Sequence, residues 1–381
     1  MNGTLALWYQ SRTQGPPQSE PSRRSGNAPS VQLHVNLWRD IDKDFNFLDV
    51  GFLLEDVSDL DRLNLFIPGP IDAASIYDLS NALKDADTLN AVFNQVAVIQ
   101  HNADQHFIVA TDSDKQRVIH HVEPSRDLAI SPVTVPGRGR GTTVALNTSF
   151  CDRIRDPAHS GHEHYVRLRV FLRGEARNLF TTEESAPGVG LSLTQDVLET
   201  TEFRLNERRS YPPPILQSSM RGQVRLKSVY YFLIRSKNHQ LGSQHQNFRK
   251  VRNLEPDIWT SYLQVGQPSA PRWRRKPRAD GMIIYQWRAT DRIDKPLDDF
   301  IAYASFRRVQ AKILAYLVAI LAIGGVGSAL LNVGIWGLHG LYVFLGKAKP
   351  DEGPSNLLVG GALAVCALGP MIYSRFRSWL N

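Results

Sequence analysis

Three histidines form the most metal-like stretch of the sequence: His159, His162 and His164 lie within one six-residue segment. On a β-strand His162 and His164 would point the same way, so two imidazoles could converge on a transition metal. The spacing matches neither an HExxH helix nor a paired-cysteine site. Two interpretations stay open: a metal site, which would make the protein a metal-dependent enzyme, or a polar loop leading into a strand at Tyr165.

The strongest local charge signal is a basic cluster around one aromatic residue, formed by Arg272, Trp273, Arg274, Arg275, Lys276 and Arg278. Near an anionic membrane each basic residue contributes about 1 kcal/mol, and tryptophan suits the lipid interface. Nucleic acid is a second interpretation, through phosphate contacts and base stacking, and a solvated loop is a third. Because the chain also carries long apolar segments, we favour anionic lipid headgroups over nucleic acid.

A glycine-arginine segment offers a weaker anion signal. Arg138 and Arg140 alternate with glycines over residues 137–141, and backbone amides with guanidinium groups could hold a phosphate. A loop between strands is the alternative, since the strand–GxxxxGK[ST]–helix context is missing. The sequence also lacks a nucleophile elbow, a kinase signature and a dinucleotide fingerprint. These absences predict a protein that is not an enzyme and needs no cofactor.

The elements that carry these residues read as short β-strands. Alternation of apolar and polar residues with period two, bounded by turn residues, is typical of half-buried strands. In the segment that begins at Tyr165, Arg167 and Arg169 share one face, which predicts one solvated face and one core face. The predicted strands are Val31–Trp38, Phe45–Leu54, Leu63–Ile67, Gln95–Gln100, Phe107–Ala110, Arg117–Val122, Thr142–Ser149, Tyr165–Leu172, Thr201–Leu205, Val224–Ile234 and Met282–Arg288.

Many strands with few helices predict a mainly β soluble domain, an antiparallel sandwich or open barrel, over residues 31–296. Helices are predicted at Ile71–Lys84 and Thr88–Asn94. Residues 1–30, rich in Gly, Pro, Ser, Gln and Arg, predict a disordered tail. One domain, or two subdomains split near 136–141, both fit the pattern.

The C-terminal part is predicted to enter a membrane. Residues 297–312 are expected to form a connecting helix, because neither Gly nor Pro interrupts Leu297–Ile323. Two charge-free apolar runs follow, each long enough for a transmembrane helix. The predicted order is a first transmembrane helix with an interfacial extension (313–346), a short non-cytoplasmic loop (347–356), a second transmembrane helix (357–373) and a cytoplasmic tail (374–381), a two-helix hairpin.

Localisation follows from charge and leader sequence. Residues 1–30 lack the apolar core of a secretory signal, and basic residues flank the outer ends of the two apolar runs, so both termini are expected in the cytoplasm. We expect an integral protein of the bacterial inner membrane. The net charge of +7 hides a split: residues 1–130 hold 10 Lys/Arg against 18 Asp/Glu, and residues 131–312 hold 30 against 17. The split indicates either an anionic partner for the second part or pairing between the two parts.

Small residues at four-residue spacing in the apolar runs permit close helix packing. They pack either the two spans of one chain or the spans of several chains, and the second case predicts a homo-oligomer. The residues concerned are Gly324 with Ser328, Gly325 with Ala329, and Gly360 with Ala364.

Together these observations predict a membrane-anchored cytosolic protein that senses a signalling ligand or protein partner and acts on the bilayer through its C-terminal helices. The layout resembles that of bacterial effectors that permeabilise the inner membrane on receiving a signal, including anti-phage effectors. A passive membrane-tethered scaffold or binding module is the alternative, and a metal-dependent enzyme using the 159–164 histidines is the third hypothesis.

Overall fold

The computed structural model describes residues 4–12, 28–40, 45–112, 115–135, 137, 139–185, 194–245, 247–267, 278–293, 296–311, 313–347, 349–350 and 353–354. The chain divides into two compact units. The first comprises Met1–Glu184 and Val197–Arg308, and the second comprises Ser185–Asp196 and Val309–Asn381.

The described residues are mainly β. The strands are β1 (Ala6–Ser11), β2 (Ser30–Asp40), β3 (Phe45–Glu55), β4 (Leu60–Ile67), β5 (Ile76–Asp78), β6 (Ala97–Asn102), β7 (His106–Thr111), β8 (Arg117–His120), β9 (Leu128–Val135), β10 (Gly139–Leu146), β11 (Glu163–Phe171), β12 (Thr181–Ser185), β13 (Thr194–Leu205), β14 (Arg225–Ser236), β15 (Gln240–Gln244), β16 (Lys250–Asn253), β17 (Met282–Thr290) and β18 (Phe300–Ala311). The α-helices are α1 (Ala86–Phe93), α2 (Pro124–Asp127), α3 (Thr148–Ile154), α4 (Pro213–Met220), α5 (Pro256–Gln264) and α6 (Ile313–Phe344).

The strands form three sheets. Two have four strands, in the orders β1-β4-β10-β9 and β12-β13-β18-β15. The third has ten strands, in the order β16-β17-β14-β2-β3-β11-β8-β7-β6, with β5 beside β11. Most neighbours are antiparallel as predicted, but β14 pairs with β2 and β11 with β8 in parallel, so the large sheet is mixed. Both parallel pairs join strands far apart in sequence, which leaves room for the crossover that parallel pairing needs.

The apolar face of the large sheet supplies the core. Val31, Leu33, Val35 and Leu37 of β2 are all buried and belong to one hydrophobic cluster that also contains residues of the β1-β4-β10-β9 sheet. This alternation confirms the mainly β prediction and its period-two strands. At the segment suggested as a subdomain boundary, β9 and β10 form a hairpin in which Val135 pairs with Gly139. Both sides of that segment lie in the first unit.

The predicted disordered tail is wrong over Ala6–Ser11, which forms β1 and pairs antiparallel with β4. Leu7 and Tyr9 join the main core, while Ala6 and Trp8 join a smaller apolar cluster, so both faces of this strand are buried. The strand is only six residues long and is followed by a Gly/Pro/Ser-rich stretch. The average composition of residues 1–30 therefore does not reveal it. Residues 13–27 lie outside the described part of the chain.

The helix predicted over Ile71–Lys84 is also wrong. This segment forms two 3₁₀ turns with the short strand β5 between them, because Ile76 and its neighbours pair with β11. The next prediction is confirmed: Thr88–Asn94 falls on α1, whose N-cap Asp85 accepts a hydrogen bond from the Thr88 amide at 2.9 Å.

The connecting helix predicted for residues 297–312 is wrong over Phe300–Ala311, which forms β18. Phe300, Ala302, Ala304 and Phe306 are buried with period two and face the core. The absence of glycine and proline is as compatible with a strand as with a helix, and the alternation of apolar residues decides between them.

In the second unit, the stretch Ile323–Phe344 of α6 is long and apolar enough to cross a membrane. Within the described residues, no other helix meets this test. Gly324 and Gly325 border open space, and Ser328 and Ala329 are exposed. The predicted second transmembrane helix (357–373), with Gly360 and Ala364, and the tail (374–381) lie outside the described residues.

Gly51 in β3 tests how tightly the large sheet is packed. A methyl group there would lie 2.3 Å from the Tyr165 hydroxyl oxygen and 2.9 Å from its ring carbon Cζ. Because neighbouring strands hold both backbones, we expect Gly51→Ala to lower the free energy of unfolding by about 1–3 kcal/mol. Urea unfolding in mild detergent, followed by tryptophan fluorescence, measures the loss. Gly242→Ala in β15 is the control, and equal losses for both variants would contradict this packing.

Candidate functional site

The polar face of the large sheet, opposite the core, carries the candidate site. In register, His34 of β2 lies opposite Gly51 of β3, and Gly51 lies opposite Arg167 of β11. Arg169 lies opposite Asp49 two pairs further along, on the same face. The sequence correctly places both arginines on one face, but the predicted solvation is wrong: Arg167 is 1% and Arg169 0% exposed.

Helix α5 covers one end of this face and is held there by a buried ion pair. Arg169 Nε and Nη2 donate to the two carboxylate oxygens of Asp49 at 2.7 and 3.0 Å. Arg169 Nη1 donates to the carbonyl oxygens of Tyr262, Leu263 and Val265 at 3.0, 3.3 and 3.1 Å. Tyr262 and Leu263 lie in the last turn of α5 and Val265 is its C-cap, where carbonyls lack partners within the helix; the Tyr262 carbonyl also accepts from the Val265 amide at 3.4 Å. One guanidinium thus joins the sheet to the helix C-terminus.

A hydrogen-bonded chain runs from α5 toward the middle of the sheet. Tyr262 donates its hydroxyl hydrogen to Asp49 at 2.8 Å and accepts from Arg167 Nε at 2.7 Å. Burial raises the pKa of Tyr262, which keeps this donor protonated. Arg167 Nη1 donates to the Tyr165 hydroxyl oxygen at 2.9 Å, and that oxygen lies 3.3 Å from His34 Nδ1. The side chains beneath the site are thereby fixed in position.

Helix α1 packs on the same face, in contact with α5. Leu89 of α1 is buried in a cluster with Leu53 and Tyr165. The ring of Phe93, the last residue of α1, meets the Tyr165 ring edge-on, with centroids 4.8 Å apart. Asn94 then ends the helix in the left-handed conformation (φ 52°), so the C-terminal turn of α1 forms a wall above the sheet.

A cavity of about 490 Å³ lies on this face, within the size range of small-ligand sites. Its lining comes from seven neighbouring strands, β16, β17, β14, β2, β3, β11 and β8, and from the end of α1. Two carboxylates, Glu55 and Glu163, face six cations. The cations are Arg117, Lys227, Arg249, Lys250, Arg252 and Arg288.

Half of these cations have carboxylate partners. Lys227 pairs with Glu55 at 2.6 Å, Arg117 pairs with Glu163, and Arg252 pairs with Glu255 at 2.5 Å. The other three, Arg249, Lys250 and Arg288, are exposed and pair with no carboxylate among the described residues. The excess positive charge therefore lies at the β16–β17 edge of the cavity.

Arg117 is the buried cation of the site, at 5% exposure. Its Nε and Nη2 donate to Glu163 Oε2 at 3.0 and 2.6 Å, and its guanidinium lies over the Phe93 ring, 4.2 Å from the centroid. Its Nη1 is buried and has no hydrogen-bond partner within the described part of the chain. An unsatisfied buried donor on a charged group costs about 1–3 kcal/mol or more.

His34 forms the floor of the cavity as a neutral imidazole. Burial, reinforced by Arg167 and Arg117, holds its pKa well below the usual range. The Gln32 amide nitrogen lies 3.0 Å from His34 Nε2 and can only donate, so Nε2 accepts and the proton sits on Nδ1. His34 therefore adds no charge to the site at neutral pH.

No protein-family model matches this chain, and no curated protein matches it in sequence.

The predicted metal residues lie elsewhere, in a larger histidine cluster formed by strands β6, β7, β8 and β11 and by the turns that precede β11. His120 Nε2 and His164 Nδ1 are 3.0 Å apart, and the His106 and His159 rings meet at 4.6 Å between centroids. The rings of His159 and His162 are 5.9 Å apart. The structure thus brings the three predicted histidines together with His101, His106 and His120, which the sequence separates by about 40–60 residues.

Within the described residues, no group of three or more His, Cys, Asp or Glu side chains has the geometry to hold a metal ion. His162 Nε2 is instead 2.9 Å from the Gln116 side-chain oxygen. Cys151, close upstream in sequence, is fully buried, and burial raises the pKa of its thiol to about 12, which disfavours the thiolate that a metal needs.

The other predicted anion sites are only partly described. Arg272, Trp273, Arg274, Arg275 and Lys276 lie outside the described residues, while Arg278 is exposed and pairs with Asp280. Arg138 also lies outside them, and Arg140 is exposed on β10 opposite Thr134. None of these residues lines the cavity as described.

Sequence reasoning missed the cavity because its residues are spread from Gln32 to Arg288. One local signal could have indicated it: Arg249, Lys250 and Arg252 place three cations in four residues beside a short strand. The pairing of that strand with β17 could not be read from the sequence.

The histidine cluster makes stability depend on pH. Burial, followed by the charges of His159 and His162, lowers the pKa of His164 from 6.5 to about 4. Between these values the unfolded chain binds a proton that folded His164 does not, so stability is full above pH 6.5 and falls as the pH falls. At about pH 5 the loss from His164 alone is roughly 2 kcal/mol.

Urea unfolding in detergent at neutral pH and at about pH 5 measures this dependence. We expect His164→Gln to lose less stability than the parent on acidification, because the variant lacks the titrating group. His245→Gln, at an exposed position, should follow the parent. Equal losses in His164→Gln and the parent would contradict the assignment.

Proposed function

We propose that this chain is a membrane-anchored sensor whose β-rich domain binds a small anionic ligand in the cavity between the end of α1 and the polar face of the large sheet. The observation that carries the proposal is a group of three exposed cations, Arg249, Lys250 and Arg288, which line one end of the cavity and pair with no carboxylate among the described residues. Cations that the internal ion pairs do not neutralise are available to an anionic ligand.

The position of the charges supports binding of an anion rather than a general surface effect. Arg249, Lys250 and Arg288 converge on one end of the cavity from the adjacent strands β16 and β17. Arg288 is held over the Tyr230 ring, 4.9 Å from its centroid. A cation fixed by an aromatic ring binds an anion with less loss of side-chain entropy than a free surface arginine does.

The anchor in this proposal is α6, within which Ile323–Phe344 is long and apolar enough to span a bilayer. We extend it to a two-helix hairpin with residues 357–373, in the bacterial inner membrane with both termini in the cytoplasm. The exposed Gly324 and Gly325 would allow helices to approach closely. Two spans do not enclose a pore, so the proposed action on the membrane requires homo-oligomers.

Anion binding is tested with inorganic pyrophosphate by titration calorimetry at low salt, on the chain in detergent micelles. Because a hydrogen bond to a charged group is worth about 1.5–3 kcal/mol, we expect Arg288→Gln and Lys250→Gln each to weaken pyrophosphate binding about tenfold or more. Arg292→Gln and Lys237→Gln are matched controls, since both residues are exposed and lie outside the lining. Absence of pyrophosphate binding, or equal effects in all four variants, would contradict the proposal.

The membrane role is tested by membrane potential after induced expression. We expect the intact chain to depolarise cells, and we expect residues 1–312 alone not to. A chimera in which a foreign anchor replaces residues 313–381 should keep pyrophosphate binding but lose depolarisation. If the intact chain leaves the potential unchanged and the chimera is indistinguishable from it in function, the passive scaffold is the better description.

A further inference from the structure

We infer that the ligand of the cavity is a small nucleotide, with its phosphates at the β16–β17 edge and its base over β14; this rests on the proposed function. The observation is a separation of chemistry across the cavity. The unpaired cations lie at one end, and aromatic and apolar side chains lie over the middle of the sheet.

The sheet register sets the distance between these two parts. Lys250 of β16 lies opposite Gln286 of β17, and Gln286 lies opposite Phe232 of β14. Neighbouring strands are about 4.8 Å apart, so the backbones of Lys250 and Phe232 are separated by two strand spacings, about 10 Å. This span is comparable to the length of a nucleoside diphosphate from its terminal phosphate to its base.

The middle of the cavity offers flat surfaces for a base. Tyr230 and Phe232 are two residues apart on β14, so both rings stand on the cavity face, and both are partly exposed. The guanidinium groups of Arg288 and Arg117 lie over the Tyr230 and Phe93 rings, 4.9 and 4.2 Å from the ring centroids. Aromatic rings and arginine planes are the surfaces on which bases stack. A site that binds only an inorganic anion would not need these stacking surfaces.

The remaining polar groups suit the edge of a base and a sugar. The side-chain amides of Gln32, Asn94, Gln95 and Gln286 line the cavity and can both donate and accept. Glu163 also lines it, through a carboxylate that repels phosphate but accepts hydrogen bonds from hydroxyl or amino groups. The uncharged part of the ligand therefore belongs at the Glu163 side, and its phosphates belong at the opposite edge.

The experiment compares ADP, GDP, CDP and UDP with pyrophosphate by titration calorimetry, on the chain of residues 1–381 in detergent micelles. We expect at least one nucleoside diphosphate to bind about tenfold or more tightly than pyrophosphate, which corresponds to the stacking of one base. Phe232→Leu should remove that advantage while leaving pyrophosphate affinity unchanged. Arg288→Gln should weaken both ligands.

The outcomes separate this inference from the proposed function. If pyrophosphate binds and no nucleotide binds more tightly, the nucleotide inference is overturned and anion sensing stands. If a nucleotide gains affinity but both Phe232→Leu and Tyr230→Leu retain the gain, the position of the base over β14 is wrong. If neither pyrophosphate nor any nucleotide binds, both proposals fail. The thermal midpoint of each variant without ligand shows whether it is folded, and Tyr230→Leu replaces Phe232→Leu if that variant is not.

Discussion

The candidate site depends first on the buried ion pair between Arg169 and Asp49. Asp49 accepts hydrogen bonds from Arg169, Trp38 and Tyr262. Arg169 Nη1 donates to carbonyl oxygens at the end of α5. Both side chains are fully buried, so their desolvation cost is large. The pair therefore contributes little net stability compared with an apolar replacement. Its role is to position α5, because it holds the C-terminal end of this helix against β3 and β11 of the sheet.

That position determines what the polar face of the sheet can do. With α5 and α1 packed against each other on this face, the part of the face beyond the end of α1 stays accessible. The hydrogen-bonded chain from Tyr262 through Arg167 and Tyr165 to His34 orders the side chains beneath it. Gly51 matters for the same reason, because only a residue without a side chain leaves room for the Tyr165 ring at that point. The cavity is thus the uncovered part of an otherwise buried polar surface.

The sequence predicts what depends on local alternation and misses what depends on pairing over long distances. The period-two pattern predicts most strands of the large sheet and the shared face of Arg167 and Arg169. This pattern does not reveal that helices cover the face, because α5 begins about 90 residues after Arg169 in the chain. The helix predicted before α6 is wrong for a related reason: apolar residues at Phe300 and Ala304 fit both periods, and only packing against the core selects the strand. The cavity forms only when seven strands lie side by side in the observed order, which includes the parallel β14–β2 pair. No local sequence pattern specifies that order.

The uneven charge of the sequence has two physical origins in the fold. Acidic residues of the first 130 positions pair with basic residues of the following part, as Asp49 does with Arg169, Glu55 with Lys227 and Asp127 with Arg153. The two interpretations of the split, internal pairing and an anionic partner, are therefore not exclusive. Internal pairing consumes the acidic residues near the sheet, and the cations left over at the cavity, Arg249, Lys250 and Arg288, all belong to the basic part. Because no carboxylate among the described residues pairs with them, these three cations make the electrostatic potential at that end of the cavity more positive.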